Sequence, residues 1–484
     1  MAIGEVLCNN AQSTVSSVTR RSYQVVIAAT RDMGLGMDMK LPWDLPFEYE
    51  FFQGVTTRTS DPKKRNATIM GRKSWDSTPL EIRPLPGRLN IVLTKSSCLN
   101  IATDENVLVC SSMESALELL ATAPYSLSIE TVFVIGGGEL LRNYMNAPGC
   151  DAIHLTEIEI SVPCDAFAPR VDTSLYHPWY SSFPYVENGI RYSFNTYVRR
   201  NDPIFGSGQK KSVAGSDFKQ YSFLPKMVFE RHEEFGYLNL GQKIISSGDM
   251  NDDNTLSTFG CQMRFNLRKT FPLLTTKKVF WVDVVEETLQ LIRGSTILKE
   301  NGTNHIWDSD EAKEYLDRFG VKATKEDGNQ PLHWTRSDAS KEFNQLSDVI
   351  NKIKNNPHNQ KIMLISTYNP YKLSVSPCET VAQFYVANGE LSCQIYQNST
   401  EASLGIPFSI AAYSLLTCII AHVCDLVAGD FIHVIGQARV NKAHVMAIQK
   451  QLQISPTPFP ILKINPEKKK IDNFEASDLE LLGM

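Results

Sequence analysis

The segment SPCETVAQFYVANGELSCQIYQNSTEASLGIPFSIAAYSLL, residues 376–416, decides the fold because it sets a cysteine before two short β-rich runs. Pro377 fixes the backbone before Cys378, and Asn388-Gly389 between QFYV and LSCQIYQ is typical of a two-residue hairpin turn. A cysteine held in this way is a candidate nucleophile, although a lone intracellular cysteine is more often a small buried apolar residue. The segment therefore predicts a β-hairpin and leaves two interpretations of Cys378.

The bulk composition is typical of a multidomain globular protein. A length of 484 residues suggests two to four domains, and 42% hydrophobic with 21% charged residues is ordinary for such chains. A net charge of −5 gives no support for nucleic-acid binding or for a membrane surface. The ten cysteines form no C-x-x-C pair and no cluster at zinc spacing, which argues for reduced thiols and against a metal site.

Two segments bear on localisation. Residues 1–22 are polar, and we expect a flexible N-terminal tail there, with a mitochondrial or plastid transit peptide as the alternative. The apolar run at residues 410–423 is short for a bilayer and contains His422, so it predicts a buried core helix and no membrane partner. The expected compartment is the cytoplasm.

Strand and helix patterns alternate between residues 23 and 200. YQVVIAAT at 23–30 reads as a buried strand, and FEYEFFQGV at 47–55 sets Glu48, Phe51 and Phe52 on one side of a helix. Such alternation predicts an α/β domain with a mainly parallel sheet. Predicted strand ends near Arg72, Lys95 and Gly136 carry glycine, hydroxyl or basic residues, which suits a polyphosphate ligand.

Six short motifs in this half share their order and spacing with a known family. They are LPW at 41–43, EYEFF at 48–52, GRKSW at 71–75, RPLPGR at 83–88, VIGGG at 134–138 and HLTEI at 154–158. Together they resemble dihydrofolate reductase over roughly residues 23–200. The resemblance implies that this domain reduces dihydrofolate to tetrahydrofolate with NADPH, which supplies the hydride.

Glu48 carries the chemistry that this resemblance implies. A carboxylate in an apolar pocket binds a 2-aminopyrimidine edge by paired, charge-assisted hydrogen bonds, and its desolvation favours proton delivery. The resemblance makes Glu48 the catalytic residue, Trp43 a wall of the pocket and Arg83 the clamp for the glutamate carboxylate of folate. The implied folate-binding residues are Val26, Glu48, Tyr49, Phe52, Arg83, Ile135 and Thr156.

The resemblance also implies an NADPH site on neighbouring strand ends. Its residues would be Ala28, Gly34, Leu35, Gly36, Arg72, Lys73, Ser74, Leu93, Thr94, Lys95, Ser96, Gly136, Gly137, Gly138 and Glu139. One departure is Met39, where the active-site loop of that family usually has glycine. If the position requires a positive φ, methionine costs about 1 kcal/mol and hinders loop closure.

Residues 201–224 are rich in Gly, Ser, Lys and Pro and predict a linker. Beyond it, residues 225–484 resemble thymidylate synthase, through Pro377-Cys378, QFYV, LSCQ-YQ, LGIPF and AYSLLT and through residues 256–281, 429–436 and 458–472. The resemblance implies that the Cys378 thiolate adds to dUMP, that methylene-tetrahydrofolate donates the one-carbon unit, and that the chain forms a homodimer. A reductase followed by a synthase resembles the bifunctional enzyme of plants and protists.

The predicted dUMP site departs from that family at most positions. Asn398 stands where the family has a phosphate-binding arginine, and the loop at 250–257 lacks a further one. Gln360-Lys361 stands where the partner subunit lends two, so at most one cation survives there and three are lost. Each charge-assisted contact contributes about 1.5–3 kcal/mol, so three losses would weaken dUMP binding on the order of 10⁴-fold or more. The residues at this site are Glu379, Gln397, Asn398, Ser399, Glu401, Ser409, Arg439 and Asn441.

The sequence therefore predicts an α/β dihydrofolate reductase-like domain followed by an α+β thymidylate synthase-like domain. Three functions stay open. In the first, the reductase half works and the synthase half is inactive or weak. In the second, the chain is a regulatory pseudoenzyme that pairs with an active paralogue, and in the third both activities are intact.

Overall fold

The computed structural model describes residues 21–95, 105–200, 221–251, 253–293, 335–338, 341–356, 364–366 and 380–483. Contacts divide the chain into two compact units. The first comprises Met1–Ile27, Met33–Ile153 and Val162–Val171, and the second comprises Ala28–Asp32, His154–Ser161 and Asp172–Met484. The domain limits of the sequence analysis (a tail at 1–22, domains at 23–200 and 225–484, a linker at 201–224) stay predictions.

Helices and strands alternate through the first two hundred residues. The strands are β1 (Tyr23–Thr30), β2 (Gly34–Gly36), β3 (Arg65–Gly71), β4 (Arg88–Leu93), β5 (Val107–Cys110), β6 (Ile129–Gly136), β7 (Cys150–Ile158), β8 (Ala166–Phe167), β9 (Tyr176–Ser181), β10 (Tyr185–Glu187) and β11 (Ile190–Arg199). The helices are α1 (Pro46–Thr57), α2 (Arg72–Ser77), α3 (Met113–Ala121), α4 (Tyr125–Ser128) and α5 (Gly138–Tyr144).

Longer helices and strands follow. The described strands are β12 (Asp249–Met250), β13 (Thr255–Asn266), β14 (Thr335–Asp338), β15 (Lys341–Asn344), β16 (Leu364–Ser366), β17 (Thr380–Ala387), β18 (Glu390–Glu401), β19 (Val427–Asn441), β20 (Ile461–Ile464) and β21 (Leu479–Leu482). The described helices are α6 (Lys226–Phe229), α7 (Glu234–Ser247), α8 (Trp281–Arg293), α9 (Gln345–Asn355), α10 (Gly405–Val423) and α11 (Val445–Gln451).

The first unit is built on parallel strands in the order β1, β6, β3, β4 and β5. Each neighbouring pair is parallel, from β1 on β6 to β4 on β5. Val25, Phe133, Ile69 and Ile91 are fully buried at their centres. Parallel sheets are covered on both faces, which explains the continuous apolar runs in these strands. The prediction of a mainly parallel sheet is confirmed for this unit.

The second unit contains a six-stranded sheet in the order β12, β13, β19, β18, β17 and β16. Asn388 and Gly389 form the two-residue turn from β17 to β18, with φ of 53° and 74°, so the predicted hairpin is confirmed. Helix α10 is long and apolar enough to cross a membrane, but every residue in it except Gly405 and His422 is buried. It packs on β18, β19 and α8 as the predicted core helix.

Glu233, just before α7, makes the stability of this unit depend on pH. Both of its carboxylate oxygens accept the backbone N–H of Asn266 at 3.1 Å. Burial raises its pKa to about 8 and the Asp430 carboxylate adds to the rise, although the Asn266 N–H and Arg268 oppose it. The folded chain therefore keeps this proton up to about pH 8. In the unfolded chain the pKa of Glu233 has its ordinary value of 4.5, so the proton is released at lower pH.

Because the pKa of Glu233 is raised on folding, we expect the free energy of unfolding to fall as pH rises from about 5 to 8 and to level off above 8. A difference of one in pKa between the folded and the unfolded chain corresponds to about 1.4 kcal/mol. Glu233→Gln should flatten the dependence in thermal unfolding across that range. Glu230→Gln, which removes an exposed carboxylate three residues earlier, is the matched control. Equal slopes in the parent chain and both variants would contradict the assignment.

Candidate active sites

Helix α1 carries an ionisable group into the first unit. Glu48 lies in its first turn and shares the buried face with Phe51, Val55 and Thr56, as the helical repeat dictates. Its relative exposure is 9%, although carboxylates are seldom buried without a partner or a function. Of the three residues predicted on one side of the helix, Glu48 and Phe51 are therefore buried together, whereas Phe52 is half-buried.

Apolar residues of the first unit gather beside this helix. Met70, Trp75, Leu85 and Val92 form a small buried cluster against which Phe52 and Ile135 pack. Tyr49 stacks on Phe52 with 6.2 Å between ring centroids, and Val26 is buried in β1. The structure thus places four predicted folate contacts, Val26, Tyr49, Phe52 and Ile135, on α1, β1 and β6.

Glycines at the ends of β3 and β6 allow close approach of the backbone. A Cβ on Gly138 would stand 2.9 Å from the carbonyl oxygen of Phe167, and one on Gly137 would stand 3.0 Å from Ser74 Oγ. Gly136 has φ of 139°, which side-chain-bearing residues rarely adopt. A backbone without side chains at these positions lets a dinucleotide phosphate come close to it, so the residues present are compatible with NADPH.

The cations predicted for the cofactor differ in their surroundings. Arg72 at the start of α2 donates through Nε to the Asp76 carboxylate at 2.7 Å, so its charge is already paired. Lys73 and Lys95 are exposed to solvent. Leu93 and Thr94 end β4 half-buried, and the Thr94 N–H donates to the Cys110 carbonyl at 3.0 Å.

The remaining predicted cofactor residues are divided between the two units, and one of them is not described. Gly34, Leu35 and Gly36 form β2, which pairs with β8. Glu139 is exposed on α5, and Ser96 lies outside the described residues. Ala28 and Thr156 belong to the second unit, where Ala28 is partly exposed and Thr156 is buried in β7.

In the second unit, one face of the six-stranded sheet is lined with polar side chains. Parallel pairing sets Ile395 opposite His433, Gln397 opposite Ile435, Ser399 opposite Gln437 and Glu401 opposite Arg439. Partners in register point to the same side of a sheet, and alternate residues share it. This polar face is the groove of the second unit. Its residues include Gln397, Ser399, Glu401, His433, Arg439 and Asn441, all of them buried or half-buried.

A buried hydrogen-bond chain closes the centre of this face. His433 Nε2 lies 2.7 Å from Gln397 Oε1, and Gln397 Nε2 donates to Ser409 Oγ at 3.2 Å. Burial lowers the pKa of His433 to about 3, so its ring is neutral and donates through Nε2. The Gln397 amide is thus held between the sheet and helix α10. Ser399 Oγ is buried without a hydrogen-bond partner in the described part of the chain.

A second cluster surrounds Glu401 at the end of β18. The carboxylate accepts from Ser403 Oγ at 2.6 Å and from the Leu404 N–H at 2.8 Å, and His444 Nδ1 lies 3.3 Å away. Lys277 Nζ donates to the Ser403 carbonyl, while burial lowers its pKa to about 8 against the pull of Glu401. Local groups of the chain itself therefore satisfy Glu401.

Glu234 fixes the loop that carries Lys277. It is fully buried at the start of α7, and its carboxylate accepts the backbone N–H and the hydroxyl of both Thr275 and Thr276 at 2.6–3.0 Å. Gln451 Nε2 adds a bond to Thr276 Oγ1 at 3.0 Å. The loop is thereby tied to two helices immediately before Lys277.

Of the other predicted synthase residues, Asn398 leaves this face, whereas Arg439 and Asn441 share it but contact other groups. Asn398 is exposed and alternates onto the opposite face, away from Gln397 and Ser399. Arg439 Nη1 lies 3.7 Å from the Asp253 carboxylate, and the Asn441 side chain accepts the Ala443 N–H at 2.9 Å. Cys378 and Glu379 lie outside the described residues, so the structure says nothing of the predicted nucleophile.

Glu287 on α8 is a further buried carboxyl group of the second unit. Burial, with the Asp283 carboxylate one turn earlier, raises its pKa to about 8. Glu287 is therefore protonated at neutral pH. Across the described residues, no group of three or more His, Cys, Asp or Glu side chains is arranged to hold a metal ion.

Comparison with known proteins assigns both halves. The dihydrofolate reductase family model matches residues 22–199, and the thymidylate synthase model matches residues 235–484. The bifunctional dihydrofolate reductase-thymidylate synthase 1 of Arabidopsis thaliana is 54% identical, over 99% of this chain and 96% of its own length. The chain belongs to the bifunctional dihydrofolate reductase–thymidylate synthase family.

Further relatives carry the same two-part name. The bifunctional enzyme of Glycine max is 55% identical over 96% of this chain and 93% of its own length. That of Leishmania major is 34% identical over 96% of this chain and 93% of its own length. These matches confirm the family and the order of the halves, and they do not by themselves indicate a loss of synthase activity.

The sequence analysis overlooked Arg88, the second arginine of RPLPGR. Arg88 is 1% exposed at the start of β4, and it donates from Nη1 to Thr56 Oγ1 at 2.6 Å and from Nε to the Pro86 carbonyl at 3.0 Å. Its guanidinium lies over the Phe52 ring, while Nη2 has no partner among the described residues. Burial lowers its pKa to about 10, although Tyr49 opposes the change.

Arg83 has a different environment from the one that the sequence suggested. Its Nη1 donates to the Trp75 carbonyl at 2.9 Å, and its guanidinium covers the Trp75 ring. Of these two arginines, Arg88 is the one with a buried donor that has no partner among the described residues.

The loop at Met39 satisfies the condition set by the sequence. Met37 and Lys40 exchange both backbone hydrogen bonds, so Asp38 and Met39 are the centre of a two-residue turn with φ of 50° and 59°. Both centres of such a turn require positive φ, and glycine is preferred at the second. Met39 is also 53% exposed, so burial of its side chain offsets little of the strain.

Met39→Gly should relieve this strain and raise the free energy of unfolding by about 1 kcal/mol. Thermal unfolding of the full chain measures the change. Met37→Gly in the same turn is the control, because Met37 is outside the positive-φ positions and should gain nothing. A loss of stability in Met39→Gly as large as in Met37→Gly would refute the strain.

Proposed function

We propose that the first half of this chain reduces dihydrofolate to tetrahydrofolate with NADPH. The observation that carries the proposal is Glu48, a carboxylate buried on the inner face of α1 beside an apolar wall. Such a group binds the amino edge of the pterin and supplies the proton, while bound NADPH supplies the hydride. Thr156 would support the same edge from β7, and Trp43 would close the pocket.

Arg88 anchors the glutamate carboxylate of the substrate in this proposal, in place of Arg83. A guanidinium that is 1% exposed and has no carboxylate partner within the described ranges favours the entry of an anion. The Phe52 ring under it orients the group toward the apolar wall. The other folate contacts are those of the sequence analysis, namely Val26, Glu48, Tyr49, Phe52, Ile135 and Thr156.

Arg88→Met should raise the KM for dihydrofolate about 10- to 100-fold, because one charge-assisted contact is worth about 1.5–3 kcal/mol. Arg83→Met should change the KM less than threefold. Stability should not fall in Arg88→Met, since removing an uncompensated buried charge is neutral or favourable. Steady-state NADPH oxidation and thermal unfolding decide the point, and a larger KM effect in Arg83→Met would return the clamp to Arg83.

For NADPH we propose the strand-end residues already described. Gly136, Gly137 and Gly138 allow the backbone to approach the cofactor, and Ser74 is set against them. The exposed Lys73 and Lys95, with Arg72, supply positive charge for its phosphates. The chain's own part is to bind and orient the cofactor. The experiment that tests the whole proposal is NADPH oxidation by the purified full chain, with and without dihydrofolate.

For the second half we propose a synthase scaffold that binds dUMP weakly and turns over slowly or not at all. The supporting observation is that polar side chains of the groove already form hydrogen bonds within the chain. Ser409 and His433 bond the Gln397 amide, and local groups bond Glu401. The phosphate cations expected from the resemblance are replaced, and Arg439 lies beside Asp253. Methylene-tetrahydrofolate would serve as a donor only if this half is active.

The opposite face of the same sheet favours a homodimer. Tyr385 and Tyr396 are 48% and 43% exposed on the neighbouring strands β17 and β18. Aromatic side chains in open positions on a sheet face are typical of a subunit interface. We propose that two chains pair there, which sedimentation velocity of the parent chain and of Tyr385→Ser would test.

This face is also the specific reason to retain the regulatory alternative. A chain with an apolar pairing face and a modified groove would form a mixed dimer with an active paralogue. It would then contribute altered phosphate-binding residues to the dUMP site of that paralogue. Mixing with a catalytically active relative should then lower the synthase rate per active subunit. If the rate per active subunit is unchanged after subunit exchange, the regulatory role is refuted.

A further inference from the structure

Two consecutive residues after β13, Arg268 and Lys269, lie against the last strands of the reductase-like half. All of the contacts concerned lie within the second compact unit. Lys269 Nζ donates to Glu157 Oε2 at 2.6 Å and to Tyr197 OH at 3.0 Å. Burial opposes its charge, yet Tyr197 and Glu157 keep the pKa of Lys269 above its ordinary value. Lys269 is therefore a charged tie between the synthase-like half and strands β7 and β11.

Arg268 makes a second tie through a chain of ion pairs. Its Nε and Nη2 donate to the Glu390 carboxylate at 3.1 and 2.7 Å, and its Nη1 donates to Asp430 at 2.6 Å. Glu390 also accepts from Arg191 Nη2 at 2.6 Å, and Arg191 Nε lies 3.5 Å from Glu159. The side chains of Arg268, Glu390 and Arg191 are only 15–18% exposed, so water and salt screen these pairs little.

Asn266 holds the start of this segment in place. Its Nδ2 donates to the carbonyls of Ser181 and Ser182 at 3.0 and 2.9 Å. Its Oδ1 accepts the Arg268 backbone N–H at 3.0 Å and Arg268 Nη1 at 3.1 Å. Because Asn266 is 2% exposed and uses both ends of its amide, it fixes the direction from which Arg268 and Lys269 approach.

The targets of the two ties flank Thr156 on β7. Side chains alternate along a strand, so Glu157 and Glu159 share one side while Thr156 and Ile158 face the other. Burial follows this pattern, since Thr156 and Ile158 are buried and both glutamates are half-buried. Holding Glu157 and Glu159 from one side therefore fixes the twist of the strand and the direction of the Thr156 hydroxyl.

We propose that Arg268 and Lys269, which belong to the synthase-like half, are positioning residues for the reductase reaction. They fix the end of β7 and with it the direction of the Thr156 hydroxyl, to which the proposed function gives a role in binding dihydrofolate. The inference rests on the proposed reductase function and deepens it, because it makes substrate affinity in one half depend on charges of the other. A misplaced side chain weakens binding and orientation even when every group that contacts the substrate is present.

The test uses the full chain and Lys269→Met. We expect the KM for dihydrofolate to rise about 5- to 10-fold while the KM for NADPH changes less than twofold. Lys269→Arg, which keeps the charge, should restore the KM to within twofold of the parent. Arg268→Met should shift the KM in the same direction as Lys269→Met. Lys463→Met, which removes an exposed ion pair with Glu480 on β20 and β21, is the control and should leave the KM unchanged.

A second readout separates this inference from the proposed function. Hydrogen exchange of the peptide over residues 150–160 should become at least threefold faster in Lys269→Met and stay unchanged in Lys463→Met. If the parent chain fails to oxidise NADPH with dihydrofolate, the proposed function is refuted, and dihydrofolate binding by calorimetry then decides the inference. An unchanged KM or affinity in Lys269→Met, even with lowered stability, would show a merely structural tie and overturn it.

Discussion

Glu48→Gln is expected to lower kcat for dihydrofolate reduction by about 100-fold or more, because general acid catalysis contributes typically 10²- to 10⁴-fold. The amide keeps the size of the side chain and one hydrogen-bonding oxygen, but it has no proton to deliver. It also loses the charge that strengthens the hydrogen bonds from the amino edge of the pterin. We therefore expect a higher KM for dihydrofolate and an unchanged KM for NADPH in steady-state NADPH oxidation.

Glu50→Gln is the matched control, since Glu50 lies two residues later on the same helix and is exposed. Its kcat should stay within twofold of the parent. Thermal unfolding guards against misfolding, and Glu48→Gln should remain folded at the assay temperature. A kcat for Glu48→Gln within fivefold of the parent would remove Glu48 from the catalytic role.

The fold was largely predictable because its signals are local. Asn388-Gly389 is one of the residue pairs that two-residue hairpin turns strongly favour, and the structure has that turn. The strands around Val25 and Ile69 are continuous apolar runs, which a covered parallel sheet requires. Glu48 could be placed as well, because the helical repeat links it to Phe51.

What could not be predicted depends on contacts between distant segments. Arg83 and Arg88 are both arginines of one motif, and only the packing of Thr56 and Phe52 around Arg88 separates them. The ties from Lys269 to Glu157 join residues 112 positions apart and leave no pattern in the sequence. Likewise, the raised pKa of Glu233 follows from burial and from Asp430, neither of which its neighbours in the chain reveal.

The groove of the second unit leads to the other large prediction, that the full chain gives no detectable heat with millimolar dUMP in calorimetry. Loss of three phosphate-binding guanidinium groups would cost roughly 5–9 kcal/mol if their contributions added, or on the order of 10⁴-fold or more in affinity. Reductase turnover in the same sample would show that the protein is folded and would serve as the internal control.

Deoxyuridine distinguishes a lost phosphate clamp from a blocked groove. If the clamp alone is lost, dUMP and deoxyuridine should compete equally, within about threefold, for any weak site that remains, since the phosphate then contributes nothing. A working clamp would make dUMP bind at least 10³-fold more tightly than the nucleoside, as two or more charge-assisted contacts require. Micromolar binding of dUMP with that preference would contradict the prediction. It would show that other cations, such as Arg439 released from Asp253, replace the missing arginines, and that both activities are intact.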